Sequence, residues 1–199
     1  MRATLILMVV GATLGSALDA IHSHFGAVSY THPVFAKAAW WVPLLFCGAY
    51  GTGIVRLLLA WKEPPPPTWK VVLGMGLFIG AYWLTVAPWS GVVRSSALGA
   101  IFVVTWVVCD RTWPGMITAG VAAIGGPLVE ILLVRAGTFV HHEVLVLGIP
   151  GWLPLLYLTA AVALGGLARW LAAPSALVLS FHRPSILPML QRPEEGSRR

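Results

Sequence analysis

Apolar residues in this chain do not alternate with polar ones; they come in long, nearly unbroken runs. Six can be read: Ala3 to about Ile21, Ala38 to Ala60, Val71 to Ala87, Val92 to Cys109, Pro114 to Val134, and Pro150 to Ala172. Each approaches the roughly 20 apolar residues that a bilayer-spanning helix needs. A helix that is apolar all round lies in lipid or inside a bundle. The pattern predicts an all-α integral membrane protein. Residues 1–172 form a bundle of six transmembrane helices, and 173–199 form a cytoplasmic tail, partly disordered. Arg2 and Gly15-Ser16-Ala17 give the first run some features of a cleavable signal; it is read as the first span.

The breaks between runs carry turn chemistry. Trp61-Lys62-Glu63 and the four prolines from Pro64 to Pro67 impose a stiff, extended link. Asp110-Arg111-Thr112-Trp113 is a polar turn, with Pro114 suited to opening the next helix. Two longer links, His22 to Lys37 and Arg135 to Ile149, are rich in His and aromatics and read as interfacial. Residues 172–181 read as a short interfacial helix.

Composition and charge sharpen this picture. With 58% hydrophobic and 10% charged residues, and a mean hydropathy of +0.83, the chain falls outside the soluble class, where about 25% are charged. The net charge of +6 reads as a topology signal rather than as affinity for nucleic acid. With six spans and a cytoplasmic N-terminus, ten of the 13 Lys and Arg residues fall on the cytoplasmic side. That asymmetry places both termini inside. Cys47 and Cys109 suggest neither a disulfide framework nor a metal site.

Small and polar residues within the runs are the candidates for packing and chemistry. Gly11 with Gly15, and Gly76 with Gly80, have the spacing that lets helices approach closely. They serve the bundle itself or a homo-oligomer. Gly125-Gly126-Pro127 predicts a kink in the fifth span, opening a wedge. Trp61, Trp69, Trp89, Trp113, Trp152 and Trp170 read as interfacial belt residues, and Trp83 and Trp106 as deeper ones. Asp19 and Glu130 are the carboxylates well inside apolar runs, where ionisable groups are costly and point to function. Structural pairing of Asp19 with His22, and of Glu130 with Arg135, is the simpler account. His141-His142-Glu143 is a weak metal signal, and no nucleophile elbow or phosphate loop occurs.

Three ordered motifs carry a family resemblance. They are Ala39-Trp40-Trp41-Val42-Pro43 followed by Cys47-Gly48, Trp106-Val107-Val108-Cys109-Asp110-Arg111 with Gly115, and Trp152-Leu153-Pro154 with Gly165-Gly166-Leu167-Ala168-Arg169. With Leu132-Leu133-Val134 and Gly137, the set resembles the Insig family of sterol-regulatory membrane proteins over about residues 5–172. The short termini and composition point to a prokaryotic member in the cell inner membrane; a eukaryotic one would lie in the endoplasmic reticulum. The resemblance implies a protein-partner or regulatory loop at Asp110 and Arg111. Here the family's serine-rich remainder is replaced by Thr112-Trp113-Pro114, and Glu130 stands where animal members have Gln. It also implies a ligand cavity that includes Trp106.

The resulting expectation is a lipid-binding protein that is not an enzyme and needs no cofactor. It holds a neutral lipid, diacylglycerol-like or sterol-like, as a lipid sensor or regulatory scaffold. The expected lining is Trp106, Phe102, Trp83 and Trp41 with Gly126 and Glu130. The alternative is a small proton-coupled transporter using Asp19 and Glu130, against which no inverted repeat is visible between the halves. A metal-dependent lipid enzyme using His141 is a further reading. A translocator-type porphyrin or sterol binder is disfavoured by its five spans.

Overall fold

In the computed structural model, residues 2–49, 51, 56 and 63–173 are described. Among them the chain forms six helices and one two-stranded sheet. Helix α1 runs Ala3–His24 around a π-helical turn at Gly11–Gly15. It is followed by α2, Val42–Ala49, α3, Thr68–Thr85, and α4, Gly91–Asp110. The last two are α5, Trp113–Arg135, and α6, Leu153–Ala172. Helices α1, α4, α5 and α6 are long and apolar enough to cross a membrane. Trp61, the expected tail and the expected short helix over 172–181 lie essentially outside the described residues.

Local chemistry sets the boundaries. Ser90 Oγ accepts the Val93 amide and Thr112 Oγ1 the Gly115 amide, so both α4 and α5 begin at a side-chain cap. Pro114 sits in the first turn of α5. Gly125-Gly126-Pro127 lies inside helix α5, which runs on through the buried Pro127. The second and sixth apolar runs begin as turns rather than helices. Ala38 and Ile149 close tight bridged turns with Phe35 and Val146, so helix starts only at Val42 and Leu153.

The two long links adopt strands, adding a small sheet to the all-helical expectation. Strand β1, Val28–Tyr30, pairs antiparallel with β2, Phe139–His141. Thr31 donates to the Thr138 carbonyl and His142 to the Ala27 carbonyl, each at 3.1 Å, extending the ladder at both ends.

That sheet joins two copies of one supersecondary unit, helix–strand–turn–helix, set 111 residues apart in the chain, as Asp19 is from Glu130. Gly26 and Gly137 take positive φ of 74° and 72° at the ends of α1 and α5. The Ala27 amide then bonds the His22 carbonyl, and the Thr138 amide the Leu133 carbonyl, the Schellman closure in both copies. The tight turns repeat too: Ala36 and Lys37 have φ of 48° and 61°, and Leu147 and Gly148 have 52° and 88°. Trp41-Val42-Pro43-Leu44-Leu45-Phe46 recurs as Trp152-Leu153-Pro154-Leu155-Leu156-Tyr157. Ser29 and Val140, equivalent in the two copies, face one another in the sheet. Pairing equivalent strands antiparallel gives a local two-fold relation between the units. They run in the same sense, so this is a parallel rather than an inverted repeat.

Helix α6 is the hub. Leu153, Leu156 and Ala163 pack with Leu18, Phe78, Leu98 and Ile131 in the main buried cluster. Gly15 lets α2 close on α1, since a Cβ there would lie 2.8 Å from Phe46. Gly76 and Gly80 are exposed and meet nothing within 4 Å, so that pair packs against no described residue.

Candidate functional site

Buried polar groups gather at the two ends of the bundle, and the cavity belongs to the end that carries the sheet. A cavity of about 520 Å³ lies between the two units. Gly15, Asp19, Tyr30 and Phe46 line it from the first unit, and Gly126, Glu130, His141 and Tyr157 from the second. Leu44, Leu45, Val121, Val129, Leu153 and Leu164 supply apolar wall. The size is that of a small-molecule or lipid site, apolar with a few convergent polar groups.

The polar groups are held by contacts that span the repeat. Tyr30 Oη donates to Asp19 Oδ2 at 2.8 Å. Glu130 Oε2 bonds His141 Nε2 at 2.8 Å, and Glu130 Oε1 accepts from Tyr157 Oη at 2.7 Å. Each carboxylate is thus met by the strand residue 11 positions on. Burial and the adjacent Asp19 carboxylate raise the Tyr30 phenol above its ordinary pKa, so it stays a donor. These pairings replace the expected Asp19–His22 and Glu130–Arg135 pairs. His22 instead bonds Thr85 Oγ1 at 2.7 Å and stacks on Tyr82. The nearby helix residues lost because β1 and β2 fold back over the helix ends and offer better-placed, buried partners.

Gly126 is a packing requirement of this site. A Cβ there would lie 2.2 Å from Tyr157 Cε1, so only glycine lets the ring cross α5 and reach Glu130. The other expected lining residues lie elsewhere. Trp106 and Phe102 pack beside Ala119, Ala122, Ala161 and Val162, and Trp106 Nε1 donates to the Thr112 carbonyl. Trp83, expected to be deep, is 52% exposed. Trp41 packs edge-on against Tyr30, behind the cavity wall. Trp152, expected in the interfacial belt, is buried, with Nε1 toward Glu143.

The opposite end holds a buried ion cluster. Arg56 Nη2 donates to Glu63 Oε2 at 2.9 Å, Asp110 Oδ1 at 3.1 Å and Thr112 Oγ1 at 2.5 Å. Arg169 Nη1 bonds the same Glu63 oxygen and Asp110 Oδ1. Asp110 is therefore an interior residue, its side chain 4% exposed, whereas Arg111 is exposed. Two glycines make room for the cluster: a Cβ at Gly115 would lie 1.7 Å from Asp110 Oδ2, and one at Gly165 2.8 Å from Arg56 Cγ.

His141, His142 and Glu143 diverge. His141 turns to Glu130, His142 bonds Ser29 Oγ at 2.7 Å, and Glu143 pairs with Arg94. Among the described residues no three His, Cys, Asp or Glu side chains are placed to hold a metal ion.

Long apolar helices around an interior cavity define a multi-pass membrane protein with an interior pocket. Comparison with known proteins narrows the class. No family model matches the chain. It is 25% identical to the insulin-induced gene 1 protein of Danio rerio over 186 residues, 87% of this chain and 74% of that protein. The same protein of Xenopus tropicalis is 25% identical over 188 residues, 88% of this chain and 74% of that one. The fold is similar to the crystal structure of the mycobacterial Insig homologue MvINS from Mycobacterium vanbaalenii. The TM-score is 0.77 at 26% identity, over 86% of this chain and 94% of that one. A cross-linked trimer of MvINS gives a TM-score of 0.79 at 24% identity, over 94% of this chain and 98% of that one. Sequence and fold agree: the chain is similar to Insig proteins over most of its length, and its fold is that of an integral membrane protein.

Proposed function

We propose that this protein is a non-enzymatic lipid-binding member of the Insig class. It holds a neutral lipid, diacylglycerol-like or sterol-like, in the cavity between the two repeated units, and acts as a lipid sensor or regulatory scaffold. The observation that carries the reading is the cavity itself: apolar walls, with two carboxylates, phenols and two histidines among its lining. Such a site accommodates an apolar body with a small polar head. A phosphorylated head group is disfavoured, because the polar end presents carboxylates rather than basic residues. Glu130 and Gly126 belong to this lining; Trp106, Phe102, Trp83 and Trp41 support the walls from behind or from other faces.

The reading extends to topology and assembly. Six spans with both termini cytoplasmic, in a prokaryotic inner membrane, agree with the charge asymmetry along the chain. A homo-oligomer is supported by the trimer described for MvINS and by the exposed Gly76 and Gly80 face. A membrane-protein partner would meet the turn through Arg111, with Asp110 shaping that turn from inside.

Mass spectrometry of organic extract from the detergent-purified protein, against extract of its source membrane, tests the lipid reading. One neutral lipid enriched to near-stoichiometric amounts is expected. Extract that mirrors the bulk membrane would refute the reading and turn attention to proton-coupled flux through Asp19 and Glu130.

A further inference from the structure

The two units of the repeat are equivalent in backbone but not in hydrogen bonding, and the difference falls inside the cavity. In the second unit both Glu130 oxygens are engaged, by His141 and by Tyr157. In the first unit Tyr30 takes the place of His141 and donates to Asp19 Oδ2. The residue equivalent to Tyr157 is Phe46, which has no hydroxyl. Its ring packs over Gly15, as that of Tyr157 packs over Gly126. Asp19 Oδ1 therefore accepts no hydrogen bond from the described residues, although Asp19 is 7% exposed and lines the cavity. An acceptor that opens on a mostly apolar cavity is placed to gain a hydrogen bond from a donor that a ligand brings in.

We propose that Asp19 is the head-group acceptor of the cavity. Its free oxygen takes a hydrogen bond from a hydroxyl of the bound lipid, which fills the role that the Tyr157 hydroxyl plays at Glu130. The ligand class is thus an apolar alcohol, and a lipid whose hydroxyl is esterified binds less well. Glu130, with a protein partner already on each oxygen, shapes the polar end instead of gripping the head group. This assignment rests on the lipid-binding reading and names the recognition step within it.

The test is equilibrium binding of two radiolabelled probes to the purified full-length protein in detergent: dioleoylglycerol with its terminal hydroxyl free, and the same lipid with that hydroxyl acetylated. Wild type is expected to prefer the alcohol about tenfold, the ratio that one hydrogen bond to a buried acceptor gives. Phe46→Tyr places a phenol in the first unit as in the second. It is expected to weaken the alcohol about tenfold while leaving the acetate unchanged, so the preference disappears in a folded protein. Asp19→Leu removes the acceptor and is also expected to abolish the preference. Equal binding of both probes by wild type overturns the assignment while leaving the lipid reading intact. A preference that persists in Phe46→Tyr and in folded Asp19→Leu overturns it as well. Failure of wild type to bind either probe overturns both the assignment and the reading beneath it.

Discussion

Replacing Asp110 by Asn tests whether the ion cluster at the end opposite the sheet holds the bundle together. The substitution keeps shape and removes one charge. Asp110 meets two guanidiniums, Arg56 at 3.1 Å and Arg169 at 3.3 Å, whose side chains are 1% and 8% exposed. Glu63 then faces both cations alone, and at 23% exposure it is partly screened by solvent. Removing one partner from a buried ion pair costs about 3–5 kcal/mol, because the remaining charge stays desolvated. The lower end, about 3 kcal/mol, applies here, since the Asn carbonyl still accepts one hydrogen bond. In a chain of this size each kcal/mol moves Tm by about 2–4 °C. The expected loss is therefore about 6–12 °C, read by intrinsic tryptophan fluorescence during heating in detergent. Adding Arg169→Met restores the balance of one cation to one anion. The double variant is expected to lose less than the sum of the two single losses, by about 1–3 kcal/mol. A change in Tm under 2 °C for Asp110→Asn, or strict additivity in the double variant, would refute the argument that these charges act as one unit.

Gly126→Ala forces Tyr157 off its path, since the added carbon would lie 2.2 Å from the ring; co-purifying neutral lipid is expected to fall severalfold, measured against protein by mass spectrometry. Trp106→Phe should leave that lipid content unchanged, because Trp106 packs outside the cavity lining; a matching loss would move the site toward α4. Gly115→Ala meets Asp110 Oδ2 at 1.7 Å and is expected to reproduce the thermal loss of Asp110→Asn without altering charge. Lys37→Gly relieves a residue held at φ 61°, where the equivalent position is Gly148; a gain of about 0.5–1 kcal/mol, a few degrees in Tm, is expected.

The long elements were legible because hydrophobic length alone specifies them: α1, α4, α5 and α6 match the predicted runs to within about three residues at each end. The start of α5 at Pro114 was equally readable, since the preference for proline in a first helical turn is local. Depth within the bundle was not. A helix apolar on every face carries no stripe that marks its buried side, so Trp83 read as deep and is half exposed, while Trp152 read as interfacial and is buried. The site was half legible. Glu130 and Asp19 stood out as intramembrane carboxylates, but their partners Tyr30, His141 and Tyr157 lie 11 to 27 residues away and reach them through strands and a tight turn. One signal would have found them. Trp41-Val42-Pro43-Leu44-Leu45-Phe46 and Trp152-Leu153-Pro154-Leu155-Leu156-Tyr157 are near copies at the same offset as Asp19 and Glu130.

The repeat also explains why a cavity exists where it does. Under the local two-fold relation α1 corresponds to α5 and α2 to α6. A contact between α1 and α6 should therefore have a mate between α5 and α2. The first contact is made: Leu7 of α1 packs with Leu164 and Ala168 of α6. The second is missing: among the described residues no Cα of α2 comes within 8 Å of one of α5. Leu44, Leu45 and Gly48 on one side, and Val121, Gly125 and Val129 on the other, line the gap instead. Val121 and Val129 are 59% and 44% exposed, so that side of the cavity faces the surroundings of the bundle. The asymmetry has a source in α3 and α4, which lie between the units in sequence and pack against α6. Among the described residues neither α3 nor α4 packs against α2. One half of a duplicated interface is thus sealed by the rest of the bundle, and among the described residues the other is left open. Under the proposed lipid-binding function this opening would serve as the lateral entry, with the Asp19 and Glu130 end receiving the polar head.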